Sequence, residues 1–466
     1  MAITFLRNIN FFRIVSEFII PRVICLKKSV SQQKVAIATL GCKVNQYESA
    51  QLAQVMRPDL VIVPFSSFAD IYIINTCTVT AQADFQSRQL IRRARRQNPQ
   101  AKIIVTGCYA DTSPAEINNI EGVSIVLGNK QKNLIPHIIN NGWQVGKYPP
   151  SAARVIRDNS ELLPLKHFYG HTRAFLKIQD GCDSYCSYCV IPYARGEKRS
   201  LPASEVLNSL DVLIKNNYRE IVLTGIHLGA YGQDLSPRTD LETLLQEIIF
   251  ANVSSRIRLS SIEPLEISDK LLRLISANKI ICPHLHIPLQ SGDDNILRLM
   301  NRNYDSSYYR SLINNIAASV KNICLGVDVM VGFPGEGEEE FKNTYQLLEG
   351  LPVSYLHVFP YSDRPGTAAA KSAAKVPEKI KKERALILRG LGARKKEFFA
   401  SRFLGEKMQV LIEKTKDKKT GFYKGFSDNY LQVLLPDADA SLTNSIIEAR
   451  VDKYSEGKLY GQIISR

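Results

Sequence analysis

Short apolar runs of strand length alternate along most of this chain with stretches of helical period. From Lys34 the order is KVAIATLGC, a helix through YESAQLAQVM, IYIINTC, a helix through DFQSRQLIRRARRQ, and KIIVTGC. Apolar runs separated by amphipathic segments predict βαβ units and a parallel sheet. VSIVLGNKQK and a short helix through LIPHIINN follow, and then NGWQVGKYPPSAARVIRDNSELLPL, rich in Gly, Pro and Ser with little periodicity, reads as a linker. From Arg173 the alternation restarts with six candidate strands, AFLKIQD, EIVLTG, RIRLSS, HLHIPLQ, GVDVMVGFP and YLHVFPYS. The helices between them carry apolar stripes, such as Val206, Leu207, Leu210, Leu213 and Ile214, or Leu241, Leu244, Leu245 and Ile248. Six βα units imply a partial or complete barrel, whose chemistry belongs at the C-terminal ends of its strands. Beyond Lys371 a long basic helical segment, VPEKIKKERALILRGLGARKKEFFASRFLG, leads to β-like runs (KMQVLIEK, NYLQVLLP, SIIEARVDKYSEGKLYGQII) that predict a small antiparallel barrel. The expected fold is α/β, divided into an N-terminal extension (1–33), a parallel-sheet domain (34–140), a linker (141–167), a barrel core (168–398) and a C-terminal β-barrel (399–466).

Composition narrows the class. The 466 residues exceed one ordinary domain of roughly 100–200 residues, and 45% hydrophobic content supports real cores. Lys and Arg number 60 against 45 Asp and Glu, a formal charge of +15, which favours a polyanionic partner, nucleic acid ahead of an anionic membrane. Nine cysteines in a chain of this length point to a reducing compartment where thiols bind metal or do chemistry. No apolar run approaches the roughly 20 residues of a membrane span, because Arg13, Glu17 and Arg22 interrupt the N-terminal segment. That segment is basic and almost free of acid, which superficially suits a transit peptide; a non-conforming extension or a mis-chosen start codon is the preferred reading, and Cys25 within it receives no role. The cytoplasm is the expected location, with organellar targeting by residues 1–33 the alternative.

The densest chemistry lies in GCDSYCSYCVIPYARG, where Cys182, Cys186 and Cys189 stand in a Cys-x3-Cys-x2-Cys spacing after AFLKIQD. Soft thiolates select zinc, copper or iron–sulfur clusters. A structural zinc is closed by four protein ligands, whereas three cysteines on a four-iron cluster leave one iron open. No fourth Cys or His lies close by, the nearest being His171 before a strand, and three local thiols cannot all pair as disulfides. An open cluster, a zinc with a distant fourth ligand, and unligated packing cysteines all remain as readings. Upstream, each of three successive strands ends in a cysteine: Cys42, Cys77 and Cys108. Ligands of an open parallel sheet gather outside the carboxyl ends of its strands, so these thiols are expected at one edge as a second three-cysteine site. Burial as small hydrophobes is the alternative.

Two further features suit a nucleic acid. Arg88, Arg92, Arg93, Arg95 and Arg96 lie on one predicted helix, as a solvated face or as phosphate contacts. In the C-terminal module, KKTGFYKGFSDNY interleaves Lys418, Lys419 and Lys424 with Phe422, Tyr423, Phe426 and Tyr430, a pattern expected of single-stranded RNA binding, although some of these aromatics must serve the core.

The Cys182 motif, with Tyr188 before its last cysteine, resembles the radical S-adenosylmethionine signature, and the layout from Lys34 onward resembles the methylthiotransferases. TLGCKVNQYES, EIVLTGIHLGAYG, RLSSIEP, HLHIPLQSGDDNILRLMNRNY, GVDVMVGFPGE and FPYSDRPGTAA are similar to the threonylcarbamoyladenosine tRNA branch. The isopentenyladenosine branch usually has Gln-Met-Asn, and the ribosomal-protein branch Pro-Lys-Asn, where this chain has Lys43, Val44 and Asn45. The resemblance implies two 4Fe-4S clusters, an auxiliary one on Cys42, Cys77 and Cys108 and one on Cys182, Cys186 and Cys189 that binds S-adenosyl-L-methionine. It also implies a C-terminal TRAM domain, a tRNA anticodon stem-loop as partner and a reductant. In such enzymes a 5′-deoxyadenosyl radical takes hydrogen from C2 of the modified adenine, and a methylthio group replaces it. The expected contacts to S-adenosylmethionine are Tyr188, the backbone at Thr224 and Gly225, and Ser261. His227, Glu263, His284, His286, Gln290 and Asp328 also lie near strand ends, with no acid–base role assigned. The rival readings are methylthiolation of isopentenyladenosine or of a ribosomal-protein aspartate, and a zinc-bearing RNA-binding scaffold.

Overall fold

A computed structural model describes residues 33–57, 60–141, 164–168 and 170–465. Cys25, the extension and most of the expected linker lie outside the described residues. The N-terminal sheet contains β1 (Lys34–Thr39), β2 (Val61–Val63), β3 (Ile71–Thr76), β4 (Lys102–Gly107) and β5 (Val123–Leu127), all parallel in the order β2-β1-β3-β4-β5. β3 is buried along its whole length, as a central strand covered on both faces must be. Helices α1 (Lys43–Met56) and α2 (Ala81–Gln97) make the crossovers, and α3 (Cys108–Thr112) begins directly at the end of β4.

All six expected barrel strands form. They are β6 (Ala174–Lys177), β9 (Glu220–Thr224), β10 (Arg256–Leu259), β11 (His284–His286), β12 (Cys324–Val331) and β13 (Tyr355–Pro360), with β7 (Gln179–Asp180) and β8 (Arg199–Ser200) forming a small antiparallel ribbon between the first two. Two parallel three-stranded sheets, β10-β9-β6 and β11-β12-β13, are joined through bridges at Ile257–Ile281 and Ser261–His286. The result is an open barrel, unpaired between β6 and β13 among the described residues, around a core that includes Leu176, Leu223, Leu259, Leu285 and Val327. β14 (Lys407–Lys416), β15 (Tyr423–Ser427), β16 (Gln432–Leu435), β17 (Ile446–Ser455) and β18 (Lys458–Ser465) close into a second, small barrel in the order β14-β15-β16-β18-β17.

The helix Glu378–Ser401 spans the division expected at 398, and its last turn, with Phe399 and Ala400, packs into the core of the small barrel. The last residues of the expected linker are structural: Leu165 is fully buried in the barrel core beside Phe168, and Gln54 of α1 takes the Pro164 carbonyl and the Lys166 amide.

Candidate active site: two cysteine triads and an adjoining cavity

The strand ends place the first triad. Cys42 caps α1, Cys77 follows β3, and Cys108 opens α3, so all three stand at the carboxyl edge of the N-terminal sheet. Gly41 and Gly107 make the turns: their φ values of +91° and +96° are left-handed, and a Cβ at Gly41 would meet Cys77 Sγ at 2.8 Å. Cys42 is exposed and the other two are buried. Burial pushes the Cys77 thiol up to about 12, and Asn129 Nδ2 donates to Cys108 Sγ at 3.6 Å.

The second triad lies in the loop after β7. Cys182, Cys186 and Cys189 are half-buried. Burial opposes ionisation of Cys182, but hydrogen bonds from His227 and Ser184 outweigh it and bring the thiol below its ordinary value. His227 Nδ1 is 3.6 Å from Cys182 Sγ, and its Nε2 is 2.6 Å from Glu266; burial disfavours its charge, yet these two partners raise it to about 10. Arg302 Nη1 donates to Cys186 Sγ at 3.4 Å while its other nitrogen pairs with Glu263. Burial pushes Cys189 up to about 12. Cationic donors at Cys182 and Cys186 are suited to thiolates that carry metal.

Each triad offers three soft sulfur donors, a set suited to an iron–sulfur cluster with one iron left open. Burial raises Cys77, Cys108 and Cys189, so binding of a metal group there must displace their protons.

A cavity of about 200 Å³ lies beside Cys189 and the segment that follows Cys77. It is lined by Val79 and Thr80 just after Cys77, by Tyr188 and Cys189, and by Gln290, Asp328, Met330 and Phe359 at the strand ends. Gln290 holds a left-handed backbone with φ +69°, strain of the kind concentrated at functional positions. Asp328 Oδ1 lies 2.8 Å from His286 Nε2 and 3.3 Å from His357 Nδ1. Burial would raise its pKa, but the two imidazoles hold it well below the ordinary carboxylate range.

The other expected cofactor contacts are dispersed around this mouth. Tyr188 packs edge-on against Phe333, with ring centroids 6.5 Å apart. Thr224 is buried at the end of β9, and a Cβ at Gly225 would meet Gln179 Oε1 at 2.8 Å. Ser261 is exposed at the bridge to His286. Of the expected RNA-facing residues, Lys418 and Lys419 are exposed, Lys419 pairing with Glu456 at 2.7 Å. Phe422 is half-buried, Tyr423 packs against the small-barrel core, and Lys424 lies 3.8 Å from Glu413. Phe426 is already stacked on Tyr430 at 5.2 Å and covered by Arg173 at 4.4 Å. On α2, Arg88 pairs with Glu116, Arg93 lies over Phe65 and Arg95 bonds to Glu121, whereas Arg92 and Arg96 are exposed. Sequence reasoning missed Arg302, Asn129 and Arg195, whose partners lie far away in the chain.

Residues 34–128 match the family described as Uncharacterized protein family UPF0004, and residues 176–348 match the Radical SAM superfamily. Threonylcarbamoyladenosine tRNA methylthiotransferase MtaB of Aquifex aeolicus is 40% identical, the match covering 81% of this chain and 92% of the relative. The protein of the same name from Bacillus subtilis is 38% identical over 91% and 96%. A tRNA-2-methylthio-N(6)-dimethylallyladenosine synthase of Pseudomonas aeruginosa is 30% identical over 93% and 98%. The radical S-adenosylmethionine methyltransferase TsrM of Kitasatospora setae shares the fold, with a TM-score of 0.53 at 15% identity over 70% of this chain and 73% of that one. Relatives this similar, matched over nearly their whole length and through both cysteine-bearing regions, mean that the chain belongs to the radical S-adenosylmethionine methylthiotransferase family.

Proposed function

We propose that this chain adds a methylthio group to C2 of N6-threonylcarbamoyladenosine, the adenosine immediately 3′ of the anticodon in tRNA, yielding 2-methylthio-N6-threonylcarbamoyladenosine. The observation that carries this reading is a cavity lined both by Val79 and Thr80, just after Cys77, and by Tyr188 and Cys189 of the second triad's loop. Cys42, Cys77 and Cys108 would hold an auxiliary 4Fe-4S cluster, and Cys182, Cys186 and Cys189 the one that binds S-adenosyl-L-methionine. When bound, these groups supply radical chemistry for an unactivated C–H bond, which acid–base side chains cannot open, and the sulfur that replaces the hydrogen.

The chain's own residues bind, orient and exclude water. Tyr188, Met330 and Phe359 give the cavity an apolar wall, and Tyr188, the backbone at Thr224 and Gly225, and Ser261 contact S-adenosylmethionine. Arg302 and His227 steady the thiolates of Cys186 and Cys182. The small barrel is a TRAM domain that holds the anticodon stem-loop through Lys418, Lys419, Phe422, Tyr423 and Lys424. Phe426, with Arg173 over its ring, supports that surface from beneath. A cytoplasmic reductant feeds the barrel cluster, and the cytoplasm is where the enzyme meets tRNA.

Mass spectrometry of tRNA nucleosides from cells lacking this gene tests the substrate. Loss of the methylthio form of threonylcarbamoyladenosine is expected; its persistence would refute the reading.

A further inference from the structure

Most of the buried and half-buried cations around the two triads and on the barrel wall have fixed anions. Lys132, Lys177 and Arg195 share Glu48, Arg258 is held by Glu220, Arg173 by Glu413 and Arg302 by Glu263. Lys43 is half-buried and has neither a hydrogen bond nor an ion pair among the described residues. It stands directly after Cys42, in the first turn of α1, where no acidic residue offsets it. A cation there opposes the helix dipole. Arg173 and Arg258 add their positive fields to its own, and so does Lys43 at His284 on the barrel wall; Tyr430 faces it from the small barrel. A locally unfavourable charge kept without a partner marks a position chosen for something other than folding.

We propose that Lys43 receives the carboxylate of the threonine carried on N6 of the substrate adenosine. The proposal rests on the substrate reading above and names the residue that enforces it. Besides its carbamoyl and hydroxyl groups, the threonylcarbamoyl substituent carries a free carboxylate, which a hydrocarbon substituent lacks and which cannot enter an enclosed site without a cation to replace its water. Arg173 and Arg258 are committed to Glu413 and Glu220, which leaves Lys43 as the available charge. Its place beside Cys42 puts the contact on the auxiliary side of the site, so that gripping the threonine at one end of the adenine also positions the ring. A substrate with an apolar N6 group would leave this ammonium desolvated and unpaired, and would be rejected for that reason.

The test uses the full-length, iron-reconstituted enzyme and two anticodon stem-loop RNAs, one with threonylcarbamoyladenosine and one in which the threonine carboxylate is converted to its neutral methylamide. The wild type is expected to favour the acid by at least about tenfold in kcat/KM, the scale of a charged hydrogen bond. Lys43→Gln is expected to bring that ratio close to one, and Lys43→Arg to retain most of it. Because the ratio compares two substrates on one protein, a general loss from disturbing Cys42 cancels. A preference unchanged in Lys43→Gln, or a wild type that treats acid and amide alike, overturns the assignment. A wild type that modifies neither RNA overturns the substrate reading instead. Should Lys43→Gln fail to hold iron, the wild-type preference and its retention in Lys43→Arg decide the matter.

Discussion

Arg195 and Glu48 meet across the seam between the two cysteine-bearing regions, with Arg195 Nη1 3.0 Å from Glu48 Oε1 and both side chains buried. Glu48 lies on α1, behind Cys42, and Arg195 lies six positions after Cys189. Lys132 and Lys177 share the same carboxylate, Asp180 takes Arg195 from the other side at 2.9 Å, and Asn45 bonds to the same guanidinium. Such a network is costly to bury and strongly directional once satisfied, so it fixes the register of one triad against the other. Asn129 adds a second link, bonding both Cys108 Sγ and the Ala194 carbonyl, and Arg364 a third, from the loop after β13 to Asp84 and the Thr78 carbonyl.

Glu48→Gln should therefore be severe. It leaves Lys132 without an anion and Lys177 and Arg195 with Asp180 alone, and breaking a buried pair costs about 3–5 kcal/mol. The midpoint of urea denaturation is expected to fall accordingly, and an unchanged midpoint would show that the network does not join the two regions.

The same network sets an acid limit. Burial would raise both carboxyls, but Lys177 and Arg195 bring Asp180 down to about 2, and Lys132, Lys177 and Arg195 hold Glu48 well below its ordinary value. Carboxyls depressed in the folded state contribute stability that is present above their unfolded values, near pH 4, and is lost as pH falls toward the folded ones. Wild-type stability should drop between about pH 4 and pH 2 more steeply than that of Glu48→Gln. Parallel curves would remove these groups from the account.

Much of this was legible beforehand, for identifiable reasons. The strands β1, β3 and β4 are apolar runs ending in cysteine, and a strand-end cysteine stays at the sheet edge whatever the tertiary packing. The six βα units of the barrel likewise carry their own punctuation. The Glu48 network was not legible, because an isolated Glu, Lys or Arg on an amphipathic segment reads as solvated, and Arg195 lies 147 residues from Glu48. The C-terminal aromatics were ambiguous for a related reason: β15 runs through part of the stretch that suggested RNA contact and places Phe426 under Arg173, while Lys418, in the turn before the strand, is exposed.

Arg302 gives a redox prediction. Its guanidinium donates to Cys186 Sγ, and positive charge beside a cluster thiolate favours the reduced form. Arg302→Met should move the midpoint potential of the barrel cluster in the negative direction by on the order of tens of millivolts in a spectroscopic titration. A shift the other way would contradict the contact.

Affinity for tRNA should weaken with salt by a log–log slope of roughly 0.7–0.9 per neutralised phosphate. Replacing exposed Arg92, Arg96 and Lys418 together by Gln should flatten that slope. An identical slope would place the RNA on another surface.

Substitution of one triad at a time separates the two sites. Cys186→Ala should remove S-adenosylmethionine cleavage and leave about half the iron, and Cys77→Ala should also leave about half while abolishing methylthio transfer. Loss of all iron from either variant would mean that the triads are not independent.

The central claim is tested most directly by incubating the reconstituted enzyme with S-adenosylmethionine, a reductant and tRNA carrying either threonylcarbamoyladenosine or isopentenyladenosine, and weighing the digested nucleosides by mass spectrometry. The account predicts a methylthio group on threonylcarbamoyladenosine and none on isopentenyladenosine. Methylthiolation of isopentenyladenosine alone, or zinc in place of iron with no product from either, would contradict it.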